Sequence, residues 1–183
     1  MTAWRGWYHA MGHTYGTWLP GDARGWRSRH HREHVDGDYR NPPPPGTHDA
    51  LHARSSGLKK REAVFLDVEA RQAAGRATVE MLVHQGAEVV AFCLDAVHFH
   101  LLGRFGALSS RQAVGRAKKH AYFVLRGRGH EGKVWASRSQ SVPIDNRSHQ
   151  VRVYDYILSH GDSGAWVWTW NQGIWWDRTV ELR

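Results

Sequence analysis

Residues 88–105 read EVVAFCLDAVHFHLLGRF. Two apolar runs rich in β-branched and aromatic residues, 88–94 and 97–105, are separated only by Asp95-Ala96, which predicts two strands joined by a tight turn in an antiparallel hairpin. Side chains alternate along a strand, so His98 and His100 share one face of the sheet while Val97, Phe99 and Leu101 share the other. The single cysteine, Cys93, lies in the first run and reads as a core residue; it excludes a disulfide framework and a Cys-ligated zinc finger.

Working outward, Val68, Ala73, Ala77, Met81 and Leu82 recur at helical spacing between about Val64 and Gln85, with Asp67 and Glu69 early and Gly86 as a stop. Downstream, Ser109 is placed to cap a second helix running to about Leu125, with Ala113, Val114, Ala117, Ala121 and Val124 as its apolar stripe. A third helix is expected from about Ser148 to His160, stopped by Gly161, and WVWTW at 166–170 reads as a strand. Trp166, Trp168 and Trp170 would share one face there, either as core or as a base-stacking platform. An opening strand is expected over Trp7–Trp18, and 127–146 is expected to be irregular apart from Val134-Trp135. The order strand, helix, strand, strand, helix predicts an α+β fold: a ferredoxin-like antiparallel sheet with helices packed on one face, plus a C-terminal helix carrying Tyr156. The predicted organisation is one domain over 1–183, interrupted at about 22–56 by a long loop rich in Arg, His and Pro.

The 183 residues carry a formal charge of +8 and a pI near 10.1, which points to a polyanionic partner such as nucleic acid. Between 111 and 133, Arg111, Arg116, Lys118, Lys119, Arg126, Arg128 and Lys133 face only Glu131 as an opposing charge. Singly each is what a solvated helix face presents; together they favour contact with a phosphate backbone. No apolar stretch is long enough for a membrane span and no signal peptide is evident, so a cytoplasmic, nucleoid-associated protein with no membrane partner is expected.

Chemistry is expected at two places. His98 and His100 on one strand face suit two ligands of one metal ion, although a His-rich polar surface presents the same pattern. Tyr156 and His160 stand four residues apart on the third helix, hence one turn apart on one face. A phenol is a weak nucleophile at its ordinary pKa near 10, and a divalent ion that polarises the target is the usual remedy. The alternative is a core aromatic at 156 and a helix-terminal histidine favoured by the macrodipole.

These segments resemble the HUH single-tyrosine transposases, in particular the REP-associated tyrosine transposases with an IS200-like transposase domain. DAVHFHLL resembles the family's His-hydrophobic-His signature in its strand context. VYDYILSHGDSGAWVW resembles the helix that carries the nucleophile, with a polar metal ligand four residues later, and WYHAMGHTYGTWLPGDARGW resembles the opening of one subgroup. The resemblance implies that Tyr156 is the catalytic nucleophile and that His98, His100 and His160 are metal ligands. It implies cleavage and rejoining of single-stranded or hairpin DNA through a 5′-phosphotyrosine intermediate, by a monomer or a homodimer. The family commonly has a side-chain amide at the position of His160 and Asn-Pro where this chain has His160-Gly161. The cofactor is expected to be a divalent ion, Mg or Mn, with softer ions favoured by a third imidazole.

Two other classes fit the same residues. A DNA-binding protein derived from such a transposase but catalytically inactive would form no adduct. A His-ligated zinc hydrolase acting through water would need a carboxylate base, for which Asp95 is the nearest candidate in sequence.

Overall fold

The computed structural model describes residues 4–24, 26 and 44–172. The chain divides into two compact units, one of residues 1–13 and 65–183 and the other of 14–64.

The larger unit is an α+β sandwich built on a five-stranded sheet. Strand β1 is Trp7–Thr14, β2 Glu88–Leu94, β3 His98–Arg104, β4 Trp135–Pro143 and β5 Trp166–Thr169. Their order across the sheet is β4-β1-β3-β2-β5. Without β5, that is the order of the split β-α-β ferredoxin-like arrangement, to which the C-terminal strand adds an edge. The pairs β1–β3, β3–β2 and β2–β5 run antiparallel, so the hairpin expected at 88–105 forms the centre of the sheet. Asp95 closes its turn by accepting hydrogen bonds from the backbone amides of Val97 at 2.7 Å and His98 at 2.6 Å.

Helices cover both faces. Against Phe92, Leu94, Phe99 and Leu101 lie helices α2 (Val68–His84) and α3 (Ser110–Gly127), burying Ala74, Val79 and Leu82 from one and Ala113, Val114, Ala117 and Leu125 from the other. Both start where a side chain satisfies the free amides of the first turn: Asp67 accepts from Ala70, and Ser109 with Gln112 completes a capping box. Helix α4 (Arg147–Ser159), capped by Asn146, crosses the opposite face, where Val153 and Ile157 pack with Ile144 against Ala91, Cys93 and Leu102.

Several expectations are corrected. The opening strand ends at Thr14 rather than Trp18, since Gly16 takes a φ of +77° and breaks the extended run. Residues 135–143 are a strand despite their polar sequence, because β4 lies at the sheet edge with much of its length exposed to water. Trp170 begins a short 3₁₀ turn and is exposed, whereas Trp168 is buried and Trp166 packs on Phe92. In the smaller unit, the tail of the expected 22–56 loop is helix α1 (Asp49–Gly57), which has no buried residue; 25 and 27–43 lie outside the described residues.

Candidate metal and tyrosine site

Strand β3 presents His98 and His100 to the face covered by α4, as the alternation requires. On α4, Val153 and Ile157 face the sheet, which sets Tyr156 and His160 at the margin where the helix overhangs β3. The helix ends one residue earlier than expected: His160 opens a 3₁₀ turn of His160–Ser163, closed by Gly164 at φ +80°. The Ala165 amide donates to the His160 carbonyl and the Arg71 guanidinium to the Gly164 carbonyl, and together they hold that turn in place.

All four expected residues meet within one chain. One ring nitrogen from each of His98, His100 and His160 lies within 4.8 Å of the others. The His100 and His160 rings stack at 4.9 Å between centroids, and Tyr156 stands edge-on to both, at 5.0 Å and 4.8 Å. The Tyr156 hydroxyl is 3.5 Å from His100 Nε2. His160 Nε2 is buried without a hydrogen-bond partner among the described residues. A buried polar atom left unpaired is costly, and an ion held by imidazole nitrogens is one way of satisfying it. The donor set therefore fits a divalent metal.

Electrostatics keep two of these rings, His100 and His160, available as neutral donors. Burial first, then the neighbouring His9, His98 and His160, push the His100 pKa from its ordinary 6.5 to about 2. Burial, followed by His98, also lowers His160. Asp95 sits 2.6 Å from His98 Nδ1. Burial disfavours its charge, but bonds from the His98 ring and from the amides of Val97 and His98 outweigh that and hold the carboxyl below its usual range. A carboxylate so engaged orients the His98 ring and is poorly placed to serve as a base.

His9 is a residue that the pattern did not single out. It projects from β1 onto the same face, with Nε2 2.9 Å from His100 Nδ1. Burial, then His149 and His160, lower its pKa to about 4. The available signal was its odd-numbered register with Trp7, Met11 and His13, which needs the β1–β3 pairing to be informative.

The basic residues lie elsewhere. Helix α3 packs on the other face of the sheet from the histidines; its outer surface exposes Arg111, Arg116, Lys119 and Arg126, and Arg128 is exposed just past its end. Arg128 approaches Glu69 at 3.7 Å. Lys118 departs from the expected set: it is 9% exposed and its ammonium donates to the Ala136 carbonyl at 2.7 Å, joining α3 to β4. Burial, then the Lys133 charge, push its pKa down to about 8. Phe123, half exposed, lies under the Lys119 ammonium at 5.9 Å and adds an aromatic surface to the basic one. Between α3 and β4 runs an open groove of about 480 Å³ lined by Lys119, Tyr122, Lys133 and Ser137.

No protein-family model and no curated protein matches this chain. A solved structure of a REP-associated tyrosine transposase bound to a REP hairpin is similar to it at a TM-score of 0.45 and 13% identity, over 88% of this chain and 75% of that one. Among the described residues no helix is long and apolar enough to cross a membrane.

Proposed function

We propose that this chain is a metal-assisted DNA strand-transfer enzyme of the single-tyrosine type, with Tyr156 as nucleophile and His98, His100 and His160 as metal ligands. The observation that carries this reading is the convergence of a half-exposed phenol with three mutually close imidazoles, one of them with an unpaired buried nitrogen. A core aromatic would be buried; Tyr156 is 47% exposed and overlies the cluster from the solvent side.

A bound divalent ion would polarise a phosphate oxygen and stabilise charge in the transition state. Tyr156 supplies the attacking oxygen. As the oxygen–phosphorus bond forms and the bond to the 3′-oxygen breaks, the Tyr156 hydroxyl gives its proton to water and the departing 3′-oxygen takes one up from water as a 3′-hydroxyl. The 5′-phosphotyrosine so formed keeps the energy of a phosphodiester, and attack by a second 3′-hydroxyl restores Tyr156 and joins two strands. Arg111, Arg116, Lys119, Arg126 and Arg128, on the face of the sheet away from Tyr156, would hold DNA backbone, single-stranded or hairpin, outside the reacting phosphate, with Phe123 available to stack on a base. A set of three imidazoles accepts Mn, Co or Zn more readily than Mg.

The test is a covalent-adduct assay on the full chain with labelled single-stranded and hairpin oligonucleotides and Mn²⁺. Wild type should give an adduct stable to denaturation, and Tyr156→Phe none. An undiminished adduct in Tyr156→Phe would remove Tyr156 from the nucleophile's role and make Tyr154 the next candidate. Absence of any adduct from wild type would favour the inactive DNA-binding reading.

A further inference from the structure

A ring-to-ring hydrogen bond between two imidazoles needs one proton and one lone pair, so it fixes both tautomers at once. His100 is 7% exposed, and its two nitrogens face different surroundings: Nε2 looks toward Tyr156, while Nδ1 is 2.9 Å from His9 Nε2. For Nε2 to present a lone pair to the cluster, the His100 proton must sit on Nδ1 and His9 must accept it. The β-sheet supplies the rigidity for that arrangement, since Met11 pairs with His100 and places His9 diagonally across from it on the same face.

We propose that His9 is a positioning residue that locks His100 as the Nδ1–H tautomer, with its Nε2 lone pair directed at the metal and tyrosine site. His98 is oriented differently, by the carboxylate of Asp95. A carboxylate adds negative charge beside the cluster, whereas a neutral imidazole orients without adding charge. The site thus has two unlike supports, one charged and one neutral, beneath adjacent ligands. The catalytic meaning of His9 rests on the strand-transfer reading above; the tautomer assignment does not.

The experiment uses the full chain in two measurements. In ¹⁵N-imidazole spectra of the metal-free protein, wild-type His100 should carry its proton on Nδ1, and His9→Phe should shift it toward the Nε2–H form. His9→Gln, whose carbonyl oxygen reaches the same place, should retain the wild-type pattern. In Co²⁺ titrations, His9→Phe should weaken binding by about 10–100-fold and His9→Gln should recover most of the affinity. His9→Asn, with a side chain too short to reach, replaces His9→Phe should the latter not fold. A wild-type His100 protonated on Nε2, or a folded His9→Phe that binds Co²⁺ as wild type does, would overturn the proposal. If wild type binds Co²⁺ no better than His98→Ala, the metal reading fails instead, and the spectra alone decide the role of His9.

Discussion

His100 and His9 are neutral because their surroundings exclude the charged form, and this has a consequence for stability. In the unfolded chain each titrates near 6.5; in the folded protein, at about 2 and about 4. Below pH 6.5 the unfolded state binds protons that the folded state refuses, so acid shifts the balance toward unfolding. Each of the two should contribute a loss of up to ~1.4 kcal/mol per pH unit. That slope persists down to about pH 4 for His9 and about pH 2 for His100, and vanishes well above 7. Metal-free urea unfolding at pH 7.5, 6.5, 5.5 and 5.0 should show a midpoint that is flat at the alkaline end and falls steadily below about pH 6.5. His9→Gln should lessen the fall by one histidine's share. A midpoint independent of pH across this range would show the rings to be solvated and the packing wrong.

At the scale of elements, α2 depends on one small residue. A Cβ on Gly75 would come within 2.1 Å of the Trp166 ring, so the helix approaches β5 as closely as it does only because that side chain is missing. Ala is the better helix former by roughly 1 kcal/mol, but overpacking of a tight core costs about 1–3 kcal/mol, and a rigid indole cannot swing aside as a flexible chain would. Gly75→Ala should therefore destabilise the protein by about 1–2 kcal/mol in thermal or urea unfolding. Gly115→Ala, where nothing lies within 4 Å of the added carbon, should stabilise it. The elements that carry strong periodicity were legible in the sequence: the central hairpin from its two apolar runs, α2 and α3 from their stripes and caps, and the turn separation of Tyr156 and His160. Those that bury little were not. WASRSQSVP has no apolar alternation because an edge strand needs none, and DALHARSSG has no stripe because α1 buries no residue. His9 escaped because its role depends on a strand pairing, not on its neighbours in sequence. Lys118 was grouped with the basic run by its charge, although its spacing from Val114 and Ala121 sets it on the buried stripe of α3.

Over the whole molecule, the basic residues of α3 and the histidine cluster lie on opposite faces of one sheet. Basic residues on α3 should therefore govern affinity for DNA and leave the histidine cluster alone. Replacing Arg116, Lys119 and Arg126 together by Ala should weaken binding of a single-stranded oligonucleotide and lower the slope of log K against log salt by about 2, at roughly 0.7 for each phosphate no longer neutralised. Co²⁺ affinity of the DNA-free chain should stay at the wild-type value. An unchanged salt slope would move the DNA-binding surface away from α3.

The histidine pair and the tyrosine helix also differ in how far apart in the chain their contacts lie. His98 and His100 belong to a hairpin closed by a short turn, while the Tyr156–His100 contact spans 56 residues, with α3 and β4 between. Local contacts form early and distant ones late, because closing a long loop costs entropy before any contact offsets it. The hairpin should accordingly acquire protection from hydrogen exchange early in refolding, and α4 should dock afterwards. Two imidazoles would then stand together before Tyr156 and the third ring reach them, so the cluster would not be complete until the fold nearly was.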